Sequence, residues 1–119
     1  MKVRLDSDAK MPTRAHWDAG YDLYSREDVV IYHGDSYCFD TGVHVEIPAG
    51  YVGTLISDAE LYVKYNLTSE GMINVGDKGS IVVKLYNHGN AAVGIVIAEA
   101  VCYLLQFQLR GNDRHDYKL

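Results

Sequence analysis

The sequence predicts an all-β domain, an antiparallel β-barrel or jelly-roll sandwich of about eight or more short strands. Apolar and polar residues alternate in short runs along most of the chain, the pattern of half-buried strands. Glycine, asparagine, aspartate and proline fall between those runs, where turns need them. Only Ala59–Tyr65 permits a helix, and Leu61, Val63 and Lys64 give it no clear apolar stripe. With 119 residues the chain has room for one domain, residues 1–109, and a short polar tail, 110–119. A chain of this length buries only about two thirds of its unfolded surface, so oligomerisation is expected to help it.

In order along the chain, Val3 and Leu5 alternate with Lys2 and Arg4, giving a strand over residues 1–5. Pro12 opens a polar connection to residues 19–25, Ala-Gly-Tyr-Asp-Leu-Tyr-Ser. Here Gly20 lets the backbone come close and an alternating apolar run presents Asp22, the first candidate site residue. Residues 28–32 form a second β-rich run, closed by the turn His33-Gly34-Asp35. Residues 36–47 read as one longer strand with Tyr37, Phe39, Thr41, Val43, Val45 and Ile47 on one face and Gly42 as a bulge or close approach. Pro48-Ala49-Gly50 turns the chain into a strand over 51–57. A polar segment follows over 58–64, in which Asp58 and Glu60 read either as a solvated turn or, with Asp22, as ligands of a hard divalent cation. Gly71, Asn74, Gly76 and Gly79 give residues 71–79 the make-up of a tight β-hairpin. Strands are expected over 80–86, 91–97 and 100–109. The first and last of these are too rich in Val, Ile and Leu to leave a water-facing side, which predicts cover by neighbouring subunits.

The net charge of −5 and a pI near 5.4 come with no clustered Lys/Arg face, which argues against a nucleic-acid partner. Cys38 and Cys102 share no metal-ligand spacing and read as free thiols in a reducing compartment. No apolar run is long enough to span a bilayer and no leader opens the sequence, so a soluble, cytoplasmic protein without a membrane partner is expected. Ten tyrosines exceed what the core needs and suit a protein interface. The five histidines lie in turns and strand ends and are assigned no catalytic role.

The order of these stretches resembles the trimeric dUTP diphosphatase (dUTPase) family from about residue 11 to residue 109. Met11-Pro12-Thr13-Arg14-Ala15 is similar to that family's Leu-Pro-x-Arg-Ala lead-in, and residues 19–25 to its first motif. Thr41-Gly42-Val43, then Ile47-Pro48-Ala49-Gly50-Tyr51, match further landmarks. Gly71-Met72-Ile73-Asn74 with Gly79 falls at the third-motif hairpin, Gly-Val-Ile-Asp-x-x-Tyr-x-Gly. Leu85-Tyr86-Asn87-His88-Gly89 resembles the Leu-Phe-Asn-His-Gly/Ser turn. The resemblance implies a homotrimer, and a substrate pocket over Gly71, Ile73, Asn74, Asp77 and Gly79, in which hairpin backbone groups recognise uracil.

Most polar groups that the family uses are replaced. Against the second motif, Pro-Arg-Ser-Gly-Leu-Ala, the chain reads Ser57-Asp58-Ala59-Glu60-Leu61-Tyr62. Of the catalytic equivalents Asp22, Ala59 and Asn74, only Asp22 keeps its chemistry, since Asn74 stands for the water-activating Asp and Asp77 for the tyrosine that packs on the sugar. The fourth motif loses its Arg and Gln over residues 98–104, and the Gly-rich fifth is absent from 110–119. If Asp22, Asp58, Glu60 and Asp77 shared one pocket, each like-charge pair about 6 Å apart would cost roughly 3 kcal/mol at an effective dielectric of about 20. The expectation is a catalytically degenerate pseudoenzyme, virus- or phage-encoded, that needs no cofactor and acts by binding a protein partner. The alternative is a dUTP diphosphatase or deoxyuridine-nucleotide binder, with Mg²⁺, that uses a non-standard set: Asp22, Asn74 and Lys64 or Lys78.

Overall fold

The alternating runs become eleven strands and one short helix in the computed structural model, which describes residues 2–14 and 20–108. In chain order these are β1 (Lys2–Leu5), β2 (Gly20–Tyr24), β3 (Val29–Ile31), β4 (Ser36–Asp40), β5 (Val43–Glu46), β6 (Tyr51–Ser57), α1 (Ala59–Tyr65), β7 (Leu67–Thr68), β8 (Glu70–Ile73), β9 (Val82–Asn87), β10 (Val93–Ile95) and β11 (Ala100–Gln108). All pairings are antiparallel and make four small sheets, ordered β1-β5, β3-β10, β2-β11-β6-β8 and β4-β9-β7. One core draws on all four: Val43, Ile95, Leu23, Val101, Leu104, Phe39, Leu67 and Leu85 are buried together. The expected all-β class is what forms. No helix among the described residues is long and apolar enough to cross a membrane. The polar tail expected over 110–119, and Ala19 of the first motif, lie outside the described residues.

The strand expected over residues 36–47 is two strands. It keeps its alternation of buried residues, but at Thr41-Gly42 it leaves the β4–β9 ladder and joins β1. Gly42 adopts φ +67°, and a Cβ there would lie 2.8 Å from Arg26 Nη1, so the position needs glycine. The Thr41 hydroxyl donates to the Ile81 carbonyl at 2.7 Å, and the Gly42 N–H donates to Asp40 Oδ1 at 3.0 Å. Both bonds satisfy backbone groups that the switch of sheet takes out of a ladder.

Ala59–Tyr65 is a helix despite its thin apolar face, because its ends are capped. Asp58 is its N-cap, and its carboxylate accepts from the Leu61 N–H at 3.1 Å. Asn66 closes the other end in the left-handed region, φ 59°. Leu61 is its one buried residue, a burial that stabilises by roughly 1.5–3 kcal/mol.

Two further expectations are corrected. Strand β9 does have a water-facing side: Val83, Leu85 and Asn87 are buried while Val82, Lys84 and Tyr86 are exposed. Residues 71–79 do not form a laddered hairpin either. After β8 the chain turns at Asn74–Asp77, with Gly76 at φ +93°, and the returning limb bonds to β5 instead of to β8. The Ile81 N–H donates to the Val43 carbonyl at 2.8 Å and the Thr41 N–H to the Ile81 carbonyl at 3.0 Å. The break at Thr41-Gly42 supplies these partners, and a gap opens between β8 and the returning limb.

Candidate functional site

That gap is a cleft of about 320 Å³, within the usual size of small-ligand sites. Leu55, Glu70, Gly71, Met72 and Ile73 line one side of it, and residues 77–82 the other. Strand β8 ends its sheet: β6 pairs with it on one side, with Gly53 opposite Ile73 and Leu55 opposite Gly71. Its other edge carries main-chain N–H and C=O groups that no strand among the described residues pairs, an alternating row of donors and acceptors. At Gly71 a Cβ would approach Leu55 Cδ1 to 3.0 Å, so glycine keeps Leu55 as an apolar floor. A planar heterocycle with its own donors and acceptors fits such an edge; an extended peptide pairing along β8 is the other ligand that this geometry admits.

The returning limb is held from behind. Asp77 closes its own turn, accepting the Asn74 N–H on Oδ2 at 2.8 Å and donating its N–H to the Asn74 carbonyl at 3.1 Å. The Lys78 carbonyl accepts from His44 Nδ1 at 2.9 Å, and His44 Nε2 lies 3.1 Å from Asp6 Oδ1. Ser80 Oγ donates to Asp40 Oδ1 at 2.6 Å. That bond, the Gly42 N–H and the nearby Arg26 guanidinium hold the Asp40 carboxyl below its ordinary range.

The structure brings Gly71, Ile73, Asp77 and Gly79 together in the cleft, and Asn74 adjoins it through Asp77. Asp22 is elsewhere. It is half-buried in β2 opposite Tyr103, and its N–H donates to the Thr13 carbonyl at 2.8 Å. Asp58 caps the helix, Ala59 is the exposed first residue of α1, and Glu60 pairs with Lys64 at 3.1 Å one turn on. No group of three or more His, Cys, Asp or Glu converges on a cation position among the described residues. The trio Asp22, Asp58 and Glu60 is therefore not assembled as a metal centre, because the helix takes two of its members for capping and side-chain pairing. Nor are the four carboxylates brought together within this chain: of the four, Asp77 alone lines this cleft, with Glu70 and Lys78 beside it.

Glu70, Leu55, Ser80 and His44 were not singled out from the sequence. The sequence placed Leu55 in a strand but could not show which residue of a later strand lies opposite it. Cys102 is excluded as a nucleophile: it is buried, its thiol donates to the Ile56 carbonyl at 3.2 Å, and burial pushes its pKa up.

A family model of the dUTPases matches residues 7–113. The deoxyuridine 5'-triphosphate nucleotidohydrolase of Antonospora locustae is 35% identical over 115 residues, which cover 95% of this chain and 80% of that one. That of Mycolicibacterium vanbaalenii is 42% identical over 94 residues, 76% of this chain and 61% of that one, so the chain spans about three fifths of this relative. Among solved structures, a mutant dUTPase from phage phi11 of S. aureus, described for its coordination of a structural Mg(II) ion, superposes with a TM-score of 0.84 at 27% identity over 91% of this chain and 90% of that one. These relatives carry the name of a hydrolase, and nothing in them or in the fold marks a degenerate enzyme that works by binding another protein. That reading is overturned. The chain belongs to the dUTPase family.

Proposed function

We propose that the protein binds deoxyuridine nucleotides in the cleft beside β8 and hydrolyses dUTP to dUMP and pyrophosphate, with a site whose polar groups differ from the family's usual set. The observation that carries this is the cleft itself. The glycines that shape the family's hairpin are kept, and a free main-chain edge faces an apolar floor and a carboxylate. Uracil presents an N–H flanked by two carbonyls, and a strand edge offers main-chain donors and acceptors at fixed spacing that can meet them.

Asp77 takes the part of the water-orienting carboxylate. Asn74, an amide, cannot accept a proton near neutral pH, whereas Asp77 lines the cleft and uses one oxygen to hold its own turn. Water attacks phosphorus, the bond to the pyrophosphate leaving group breaks, and a carboxylate in contact with that water aligns it and draws off its proton. The residues present fit Mg²⁺ only in the manner usual for nucleotide enzymes, one carboxylate plus the substrate's phosphate oxygens. Glu70, the other carboxylate of the cleft, would be that ligand, and the ion would neutralise phosphate charge.

The working form is proposed to be a homotrimer in the cytoplasm. Exposed Val30, Tyr32, Val96 and Ile97 lie on and just beyond the β3–β10 pair, the kind of apolar surface that subunits cover. Both thiols are unpaired, as a reducing compartment allows. The test is pyrophosphate release from dUTP with Mg²⁺, with dCTP and dTTP as comparisons. Turnover in the ordinary enzyme range, about 1 to 10³ per second, and selective for dUTP supports the proposal. Absence of turnover on every nucleotide overturns it.

A further inference from the structure

A second cleft, of about 380 Å³, adjoins the first and shares Asp77 and Lys78 with it as a common wall. Its other walls come from the β1–β5 pair. The antiparallel register sets Lys2 opposite Glu46 and Arg4 opposite His44, so these four residues share one face of the pair, and Val3 and Val45 between them also line the cleft. His44 bonds the Lys78 carbonyl and fixes the returning limb against this face.

The cations of this cleft are distinctive in what they lack. Among the described residues, Arg26 pairs with Asp8 and Asp40, Lys64 pairs with Glu60, and Lys10, Arg14 and Lys84 lie over the rings of Tyr24, Tyr21 and Tyr86. Lys2, Arg4 and Lys78 have no such partner, and all three line this one cleft. In a chain of net charge −5, carboxylates are abundant, yet these three cations stand together. Against them are Glu46 and Asp77, which leaves an excess of one positive charge with His44 neutral. Like charges on one concave face repel, and an anion between them relieves the repulsion.

We propose that this cleft receives the phosphate chain of the nucleotide whose base and sugar lie along β8, with Lys2, Arg4 and Lys78 replacing the phosphate-binding groups that the motifs have lost. The assignment rests on the nucleotide reading above for its ligand, but the anion site can be measured apart from it. Calorimetric titrations of deoxyuridine, a non-hydrolysable dUTP analogue and inorganic tripolyphosphate decide the matter. They are run on the natural protein, on Lys2→Gln/Arg4→Gln, and on Lys10→Gln/Lys84→Gln, which loses the same charge elsewhere. Thermal melting checks that each variant is folded, as substitution at these exposed positions should allow.

The expected result is that Lys2→Gln/Arg4→Gln weakens both phosphate ligands by about tenfold at moderate salt while the control pair changes them less than about twofold. Deoxyuridine binds all three proteins alike. Equal weakening in both variants would assign the effect to overall charge and overturn the proposal. So would loss of tripolyphosphate binding with the dUTP analogue unaffected, since the cleft would then serve free polyphosphate. If deoxyuridine binds none of the proteins while both phosphate ligands lose affinity in Lys2→Gln/Arg4→Gln alone, the base site fails and the phosphate site stands.

Discussion

Asp77 does two things at once, and one substitution separates them. In Asp77→Asn the side-chain oxygen still accepts the Asn74 N–H, so the turn and deoxyuridine binding should be kept while turnover on dUTP falls by about 10² or more. Steady-state kinetics beside a deoxyuridine titration checks this, and unchanged turnover would remove Asp77 from the chemistry. Asn87 shows the stability side of the same scale. It is buried, its amide donates to the Ile31 and Ala91 carbonyls at 2.9 Å each, and its Oδ1 accepts the Gly89 N–H at 2.9 Å. Asn87→Leu leaves those backbone groups unpaired, and urea denaturation should show a loss of about 2–4 kcal/mol. Part of this was legible through the family resemblance: the match of residues 71–79 to the third-motif hairpin implied a pocket over Gly71, Ile73, Asn74, Asp77 and Gly79. Lys2, Arg4 and His44 were not, because their meaning depends on a cross-strand register and on a partner more than 30 positions away in sequence.

At the scale of elements, the feature that matters is the break at Thr41-Gly42, which parts β4 from β5 and gives the returning limb its support. The sequence showed an alternating run with a glycine inside it, and alternation persists through the break, so periodicity could not reveal that the chain changes sheets there. The helix was faint for a related reason: its stability comes from Asp58 and Asn66 at its ends more than from its apolar face. The bond from Ser80 to Asp40 ties the limb to β4 and predicts a pH effect. The folded Asp40 has a pKa below its ordinary 3.8, so its contribution to stability is present above that value and is lost as pH falls through the lower, folded one. Asp40→Asn should flatten the acid limb of the melting curve below about pH 4 while leaving its shape near neutrality, allowing for strong solvent screening at this half-exposed site. An acid limb identical to that of the natural protein would count against the tie.

For the whole molecule, antiparallel strands from four sheets converge on one core, and this was readable from spacing and turn residues because both arise from short-range chemistry. The site was readable only in part. The carboxylates that suggested a crowded pocket are spread out within the chain: Asp58 caps a helix, Glu60 pairs with Lys64, Asp22 lies in a strand, and Asp77 alone lines the cleft. Assembly is a prediction at this scale: light scattering at micromolar concentration should give three times the chain's mass of 13.3 kDa, and a monomer mass would contradict the proposed trimer. The nucleotide is proposed to lie along the free edge of β8. Backbone amide NMR of the protein titrated with a non-hydrolysable dUTP analogue and Mg²⁺ tests it most directly. The largest shifts should fall at Gly71, Met72, Ile73, Asp77 and Gly79; shifts confined to residues 88–93, which line a separate cleft, or no shifts at all, would contradict binding along β8.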